Sequence, residues 1–259
     1  MPRYAFRIEY DGGPFCGWQR QVDLPTVQGQ IENAARRIEP NHTGLFGAGR
    51  TDTGVHATGQ VAHLDTEKEW APDKLRQAIN HFLKPDPIAL TAATLVDSNF
   101  HARFSATKRL YQFRVTAQRS PMVLDRGRTW HINHKLDVAV MQAAAAHLIG
   151  KHDFTTFRST LCQARSPVKT LEKLAITETR VSDARFDYAF DLEALSFLHN
   201  QVRSLVGTLE RVGAGSWEPI DVANALMQRD RSACGPVAPP HGLYLRDVQY
   251  PMVIFKTKF

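Results

Sequence analysis

Hydrophobic residues recur along the chain at two spacings, and each spacing predicts a different kind of element. A two-residue alternation is typical of a half-buried strand, as with Tyr111, Phe113 and Val115. We predict strands near residues 3–10, 61–64, 88–96, 108–115, 170–178, 185–192 and 243–250. A spacing of three or four residues is typical of an amphipathic helix. We predict helices near residues 27–38, 72–83, 136–148, 197–212 and 220–227.

The order of these elements predicts the fold class. Strands mix with helices in two similar halves, residues 1–115 and residues 116–259, although the halves share no visible sequence identity. Such a mixture favours an α+β fold in which helices cover one face of a mixed, mainly antiparallel sheet. We expect a central cleft where the two halves meet.

Composition limits the class of protein. The chain has 259 residues, of which 43% are hydrophobic and 22% charged, so it can bury a core without a metal or a disulfide. Cys16, Cys162 and Cys234 are odd in number and far apart, which predicts reduced thiols. No signal peptide or stretch as long as a membrane span is visible, so we expect a cytoplasmic protein without membrane contact.

The net charge changes this picture only slightly. A formal charge of +6 favours a polyanionic partner through electrostatic steering and counterion release. An ordinary basic surface in contact with water explains the same number, so charge alone does not identify a partner.

The candidate chemistry lies in a loop rich in glycine, residues 44–54, and in the segment that follows it, which together read GLFGAGRTDTGVHATGQVAH. No Gly-Lys-Ser/Thr follows the glycines, which excludes a P-loop. Asp52 stands where a dinucleotide-binding loop needs its third glycine, and its charge would repel a pyrophosphate. His56 and His63 have poor spacing for a metal site, and we interpret both as structural.

Asp52 is then the residue that needs an explanation. It follows Arg50 by two residues on a tight turn, and a cation so close favours the ionised carboxylate. Asp52 could equally cap the turn while Arg50 balances its charge, which is a common structural use of aspartate. The loop by itself does not decide between these two interpretations.

The loop resembles the signature of the tRNA pseudouridine synthase A family, G-A-G-R-T-D-x-G-V-H-A-x-G-Q, which residues 47–60 match. Four further segments resemble the family in the same order: YDGGPFCGWQRQ at 10–21, NFHARFSATKRLYQF at 99–113, FLHNQVRSLVG at 197–207 and APPHGLYL at 238–245. The resemblance spans nearly the whole chain. It implies the pseudouridine synthase fold and an enzyme that isomerises uridine to pseudouridine in tRNA.

The resemblance also implies roles for five residues. Asp52 is expected to be the catalytic aspartate, Tyr111 to pack against the target base, and Arg203 to pair with Asp52. Leu243 is expected to line the pocket, and Arg50 to take part in flipping the target nucleotide. Without the resemblance, Tyr111 would be interpreted as a core residue, and Arg203 as a long side chain that reaches water.

The expected reaction needs one ionised carboxylate and neither a metal nor a redox cofactor. Asp52 could act as a nucleophile or as a base, and the sequence does not choose between them. A uridine in a stem must first be extruded, and we expect Arg50, Arg103 and Arg109 to contact phosphates. By resemblance, the substrate is positions 38–40 in the anticodon stem-loop of tRNA and the enzyme is a homodimer.

Two other functions remain compatible with the sequence. A non-catalytic protein could bind RNA through the same basic surface. A nucleoside hydrolase would release free uracil, although the second acid that glycoside hydrolysis requires is not visible here.

Overall fold

The computed structural model describes residues 1–255, and within them the chain forms ten strands and five α-helices. The strands are β1 (Arg3–Tyr10), β2 (Phe46–Gly47), β3 (His56–Asp65), β4 (Ile88–Val96), β5 (Lys108–Ala117), β6 (Trp130–Ile132), β7 (Gly150–Asp153), β8 (Val168–Ser182), β9 (Arg185–Ala194) and β10 (Leu243–Gln249). The helices are α1 (Val27–Arg36), α2 (Pro72–Leu83), α3 (Val138–Ala146), α4 (Gln201–Gly213) and α5 (Pro219–Gln228). Strands and helices alternate irregularly, which confirms the predicted α+β class.

The chain divides into two compact units. The first unit combines Met1–Arg109 with the C-terminal segment from Leu245, and the second is Leu110–Tyr244. The sequence predicts a division after residue 115, with the last strand in the second half. In the structure most of β10 belongs to the first unit.

The first unit contains a sheet in which β1 runs antiparallel to both β3 and β4. Its order is β4-β1-β3-β10, with Arg3 paired to both Asp65 and Val96 and β2 paired with β3. Helix α1 begins after Thr26, whose side-chain oxygen accepts a hydrogen bond from the backbone N–H of Gly29. Helix α2 begins at Pro72, a residue that suits the first helical turn because its missing N–H would be unpaired there.

The second unit contains a sheet of the order β5-β9-β8-β7, with β6 parallel to β5. Strands β8 and β9 form a long antiparallel hairpin that closes at Ser182 and Arg185. Helix α4 packs against α3, and its apolar stripe is buried almost completely, including Val202, Leu205 and Leu209. The core of this unit therefore lies between its sheet and its helices.

Several boundaries differ from the predicted ones. Strands β2, β6 and β7 were not predicted, because runs of two to four residues are too short to show a period. Strand β3 begins at His56 rather than at residue 61, since Gly59 lets it approach a neighbouring backbone: a Cβ there would stand 2.2 Å from the carbonyl oxygen of Arg246. Helix α4 begins at Gln201 rather than at residue 197, because Asn200 has a φ of 63° and interrupts any helix.

Within residues 1–255, every helix is too short or too polar to cross a lipid bilayer.

Candidate active site

Asp52 lies on a tight turn of the glycine-rich loop (residues 44–54). The backbone N–H of Val55 donates to the carbonyl oxygen of Asp52 at 3.1 Å. Gly54 has a φ of 77°, a conformation that a side chain at this position would disfavour. The side chain of Asp52 is half-buried and that of Arg50 is exposed. The turn therefore presents one carboxylate and one guanidinium from the same short segment.

Hydrogen bonds fix the backbone on both sides of Arg50. The carbonyl oxygen of Thr51 accepts from the N–H of Trp18 at 3.0 Å, and its hydroxyl pairs with that of Tyr10 at 2.8 Å. On the other side, the side-chain amide of Gln60 donates to the carbonyl oxygen of Gly49 at 2.8 Å. Because these partners come from the segment 10–21 and from β3, the loop is held by the body of the first unit.

Two glycines of the segment 10–21 lie directly against this turn. A Cβ at Gly12 would stand 2.0 Å from the carbonyl oxygen of Val55, and one at Gly17 would stand 2.7 Å from that of Thr51. Contacts so short cannot accommodate a side chain. Gly12 and Gly17 were not predicted as parts of the site, although their place in a matched segment was the available signal.

Both histidines that follow the turn bind backbone N–H groups. Nδ1 of His56 accepts from the backbone N–H of Gly12 at 3.0 Å and also lies 3.0 Å from Oδ1 of Asp11. Nδ1 of His63 accepts from the backbone N–H of Ala102 at 3.2 Å. Burial lowers the pKa of His63 to about 4, and the charges of Arg3 and His101 act in the same direction. Within residues 1–255, His, Cys, Asp and Glu form no group of three that could hold a metal. The structural interpretation of both histidines agrees with these contacts.

Arg109 has a different place from the one predicted. Its side chain is buried, and its Nη2 donates to the carbonyl oxygens of Ala48 and Arg103, each at 2.7 Å. A guanidinium used in this way connects two segments of the protein instead of facing a phosphate. Arg109 therefore ties the start of the glycine-rich loop to the turn that carries Arg103.

In the second unit, Arg203 lies in the first turn of α4. Its Nε donates to the carbonyl oxygen of Ala238 at 2.7 Å, and its Nη1 donates to the side chain of Asn200 at 3.0 Å. The backbone N–H of Ala238 in turn donates to the carbonyl oxygen of Arg203 at 3.0 Å. These bonds orient the guanidinium, which is half-buried. Its pairing with Asp52 stays a prediction.

Tyr111 and Leu243 also belong to the second unit. The ring of Tyr111 meets that of Phe197 edge-on at 5.2 Å between centroids, and it is half-buried, unlike the fully buried Phe113. Leu243 is 5% exposed at the start of β10. The residue before it, Gly242, lies against the ring of Phe113, where a Cβ would come within 2.6 Å.

Comparison with known proteins assigns this arrangement to a family. The pattern of the family described as tRNA pseudouridine synthase matches residues 7–105 and 144–251. The chain belongs to the tRNA pseudouridine synthase family. The matched stretches include Arg50, Asp52, Arg203 and Leu243, while Tyr111 lies between them.

Curated relatives agree along the full length. The tRNA pseudouridine synthase A of Cereibacter sphaeroides is 61% identical over 251 residues, which cover 97% of each chain. The protein of that name from Dinoroseobacter shibae is 57% identical over 256 residues, 99% of each chain. The one from Paracoccus denitrificans is 58% identical over 253 residues, 96% of this chain and 97% of the relative.

Membership of the tRNA pseudouridine synthase family confirms three predictions from the sequence. These are the family itself, the pseudouridine synthase fold and the class of enzyme, an isomerase that modifies tRNA.

Proposed function

We propose that this chain isomerises uridine to pseudouridine at positions 38–40 in the anticodon stem-loop of tRNA, with Asp52 as the essential carboxylate. The observation that carries the proposal is the turn at Asp52, which the first unit holds through Tyr10, Trp18 and Gln60. A structural aspartate on an exposed turn would not need such support. A carboxylate that must meet a reacting atom does, because small displacements are costly in catalysis.

The reaction is an internal rearrangement that needs one well-placed carboxylate. The bond between N1 of uracil and C1′ of ribose breaks, the base turns, and C5 forms a new bond to C1′. C5 then loses its proton and N1 gains one, so atoms and electrons balance without an oxidant or reductant. Asp52 serves as the nucleophile that attacks the sugar or base, or as the base that removes a ribose proton.

The other four residues support this chemistry in the roles that the family resemblance implies. Arg50 is exposed two residues from Asp52, where a cation can take part in flipping the target nucleotide. The guanidinium of Arg203, oriented by Ala238 and Asn200, pairs with the carboxylate of Asp52. Tyr111 packs against the target base and Leu243 lines an apolar pocket that retains the detached uracil.

The experiment compares the wild-type protein with Asp52→Asn on an unmodified tRNA transcript without added cofactor. Pseudouridine is detected by carbodiimide treatment and primer extension, and RNA binding by filter retention. We expect Asp52→Asn to lower the rate at least about a thousandfold while the dissociation constant changes less than about threefold. The matched control is Asp73→Asn on α2, whose carboxylate is 80% exposed, and it should leave both quantities unchanged.

The same assay separates the alternative functions. A wild-type protein that binds the transcript and leaves it unmodified would be a binding module. Release of free uracil would identify a hydrolase. A transcript in which cytidine replaces the uridines at positions 38–40 should stay unmodified, and pseudouridine elsewhere would contradict the proposed position. The homodimer and the cytoplasmic location stay predictions, and light scattering tests the first.

A further inference from the structure

An exposed row of aromatic rings lies beside the glycine-rich loop in the first unit. Phe104 is 75% exposed and Phe46 is 46% exposed. His101 connects them, with ring centroids 4.4 Å from Phe104 and 5.9 Å from Phe46. The guanidinium carbon of Arg103 stands 5.6 Å from the centre of the Phe104 ring. We call Phe46, His101, Arg103 and Phe104 the aromatic surface.

The turn that carries Phe104 is held by hydrogen bonds at both ends. Nδ1 of His101 accepts from the N–H of Arg103 at 3.1 Å, and the N–H of Ser105 donates to the carbonyl oxygen of His101 at 2.9 Å. The hydroxyl of Tyr250 donates to the carbonyl oxygen of Ala102 at 2.7 Å. The exposure of Phe104 is thus a property of an ordered turn, and its ring is already placed before any ligand arrives.

A buried histidine supports the row from below. The ring of His63 stacks on Phe46 at 5.1 Å and meets His101 edge-on at 4.7 Å. Burial lowers the pKa of His63 to about 4 and also lowers that of His101, so both rings are neutral at neutral pH. Neutral rings keep their faces available for stacking, and Arg103 and Arg50 supply positive charge nearby in the chain.

Arg109 fastens the aromatic surface to the glycine-rich loop. Its Nη2 is 2.7 Å from the carbonyl oxygen of Ala48 and 2.7 Å from that of Arg103, so the two carbonyls lie close together. Phe46 itself precedes Arg50 by four residues. The aromatic surface and the loop that carries Asp52 therefore form one continuous piece of the first unit.

We infer that the aromatic surface stacks an unpaired base of the substrate tRNA while Arg103 contacts an adjacent phosphate. Exposed aromatic rings beside a cation are the combination that binds single-stranded nucleic acid, because every base has a π-face and every linkage a charge. The inference rests on the proposed function, which supplies RNA as the ligand and requires a nucleotide to leave its stack. It adds a contact for a base other than the one that reacts.

The test measures binding of an anticodon stem-loop RNA to proteins that also carry Asp52→Asn, so that turnover does not disturb the equilibrium. Phe104→Ala should weaken binding about tenfold, and Phe104→Trp should retain it, since tryptophan also stacks. Arg103→Ala should weaken binding and reduce the slope of log affinity against log salt by about one. The RNA carries 2-aminopurine at single loop positions, and stacking on Phe104 should quench one of them.

Phe82 provides a matched control in the same unit. It is 40% exposed on α2, stands 5.5 Å below the guanidinium of Arg37 and meets the ring of His81, so its local composition is similar. Phe82→Ala should leave RNA binding unchanged. Equal binding by Phe104→Ala and the parent protein, or equal losses for Phe104→Ala and Phe82→Ala, would overturn the inference.

The two proposals fail in different ways. If the wild-type protein forms no pseudouridine but Phe104→Ala still loses RNA affinity and fluorescence quenching, the inference about base stacking is supported and the catalytic proposal is contradicted. If the wild-type protein forms pseudouridine and Phe104→Ala binds the stem-loop normally, the inference about base stacking is contradicted and the catalytic proposal is supported. Circular dichroism of each variant checks that its secondary structure is intact.

Discussion

The glycine-rich loop around Asp52 and the first turn of α4 around Arg203 are fixed by different kinds of interaction. The loop has no periodic apolar face. Trp18 and Gln60 bind its backbone, and the hydroxyl of Tyr10 pairs with that of Thr51. Helix α4 is held by a continuous apolar stripe, and hydrogen bonds to Ala238 and Asn200 then help to orient Arg203. Loss of one contact should therefore affect the loop more than the helix.

Both regions nevertheless depend on a glycine that touches a backbone carbonyl. At Gly12 a Cβ would stand 2.0 Å from the oxygen of Val55, and at Gly207 one would stand 1.9 Å from the oxygen of Pro236. The first contact locates the turn after Asp52, and the second locates α4 against the segment that carries Ala238. Replacing each of these glycines by alanine tests the comparison between the loop and the helix directly.

Of these two substitutions, Gly12→Ala is expected to have the larger effect. The new methyl group must displace the backbone of residues 52–55, and we expect kcat/KM to fall at least about a hundredfold and the free energy of unfolding to fall by about 3 kcal/mol. Steady-state kinetics and urea unfolding measure the two quantities. Gly13→Ala is the neighbouring control, because its Cβ would meet only the side chain of Asp11, at 3.3 Å. An active Gly12→Ala protein would show that the loop tolerates displacement.

A smaller effect on activity is expected for Gly207→Ala. The methyl group pushes residues 236–238 away from α4, which should lower the free energy of unfolding by about 2 kcal/mol even though alanine favours the helix. The stripe of α4 stays buried, so we expect kcat/KM to fall only about tenfold. Gly13→Ala again serves as the control for an added methyl group, since its Cβ would meet only the side chain of Asp11, at 3.3 Å. A greater loss of kcat/KM for Gly207→Ala than for Gly12→Ala would reverse the comparison.

Acid should weaken the first unit through His63. Its folded-state pKa of about 4 lies below the ordinary value of 6.5, so the folded protein binds fewer protons than the unfolded chain between these values. The contribution of neutral His63 to the free energy of unfolding is therefore fully present above pH 6.5. It is lost as the pH falls towards 4. We expect a loss of about 1 to 2 kcal/mol between pH 7 and pH 4.5 in urea unfolding.

His63→Gln is the control for this pH dependence, because glutamine is a polar side chain that does not titrate. The variant should show a flatter profile between pH 7 and pH 4.5. The charges that surround His63 are those of Arg3, His101 and Asp65. The carboxyl of Asp65 has its pKa lowered chiefly by its hydrogen bond from Arg3, so it titrates in a more acidic range. Identical profiles for wild type and His63→Gln would assign the acid sensitivity elsewhere.

The sequence predicts elements well where periodicity is strong. The bounds of β1, α2 and β4 agree with the predicted ones because regular spacing and sharp ends, such as Pro72, coincide there. Strand β3 was predicted too short, since the residues His56, Thr58 and Gly59 show no strand pattern in the sequence. Gly59 lies against the backbone of Arg246 in another strand. Strand pairing is a long-range contact that a local pattern does not contain.

The site was less predictable from local patterns than the fold. The motif of the glycine-rich loop identified Asp52 and Arg50, but the support from Tyr10 and Gly12 crosses more than 40 residues of chain. Arg109 was expected to face a phosphate, and it is buried between two carbonyl groups instead. The sequence alone does not distinguish a buried structural arginine from one that contacts a phosphate, because only the surrounding structure differs.

The smallest predicted effects concern the helix caps of the two units. Thr26 caps α1 through the N–H of Gly29, and Asp137 caps α3 through the N–H groups of Ala139 and Val140. Alanine at either cap should lower the free energy of unfolding by about 1 kcal/mol. Urea unfolding measures both losses, and Thr26→Ser should restore most of the first.

Activity should distinguish these two caps although their stability effects are similar. Helix α1 is attached to the segment that holds the glycine-rich loop, because Val27 donates to the carbonyl oxygen of Gly17 at 3.2 Å and Gln28 to that of Trp18 at 3.0 Å. Fraying of the first turn should therefore reach Thr51 through Trp18, and we expect Thr26→Ala to lower kcat about twofold. Asp137→Ala should leave kcat unchanged. A loss of kcat in Asp137→Ala alone would mean that the loop does not depend on α1.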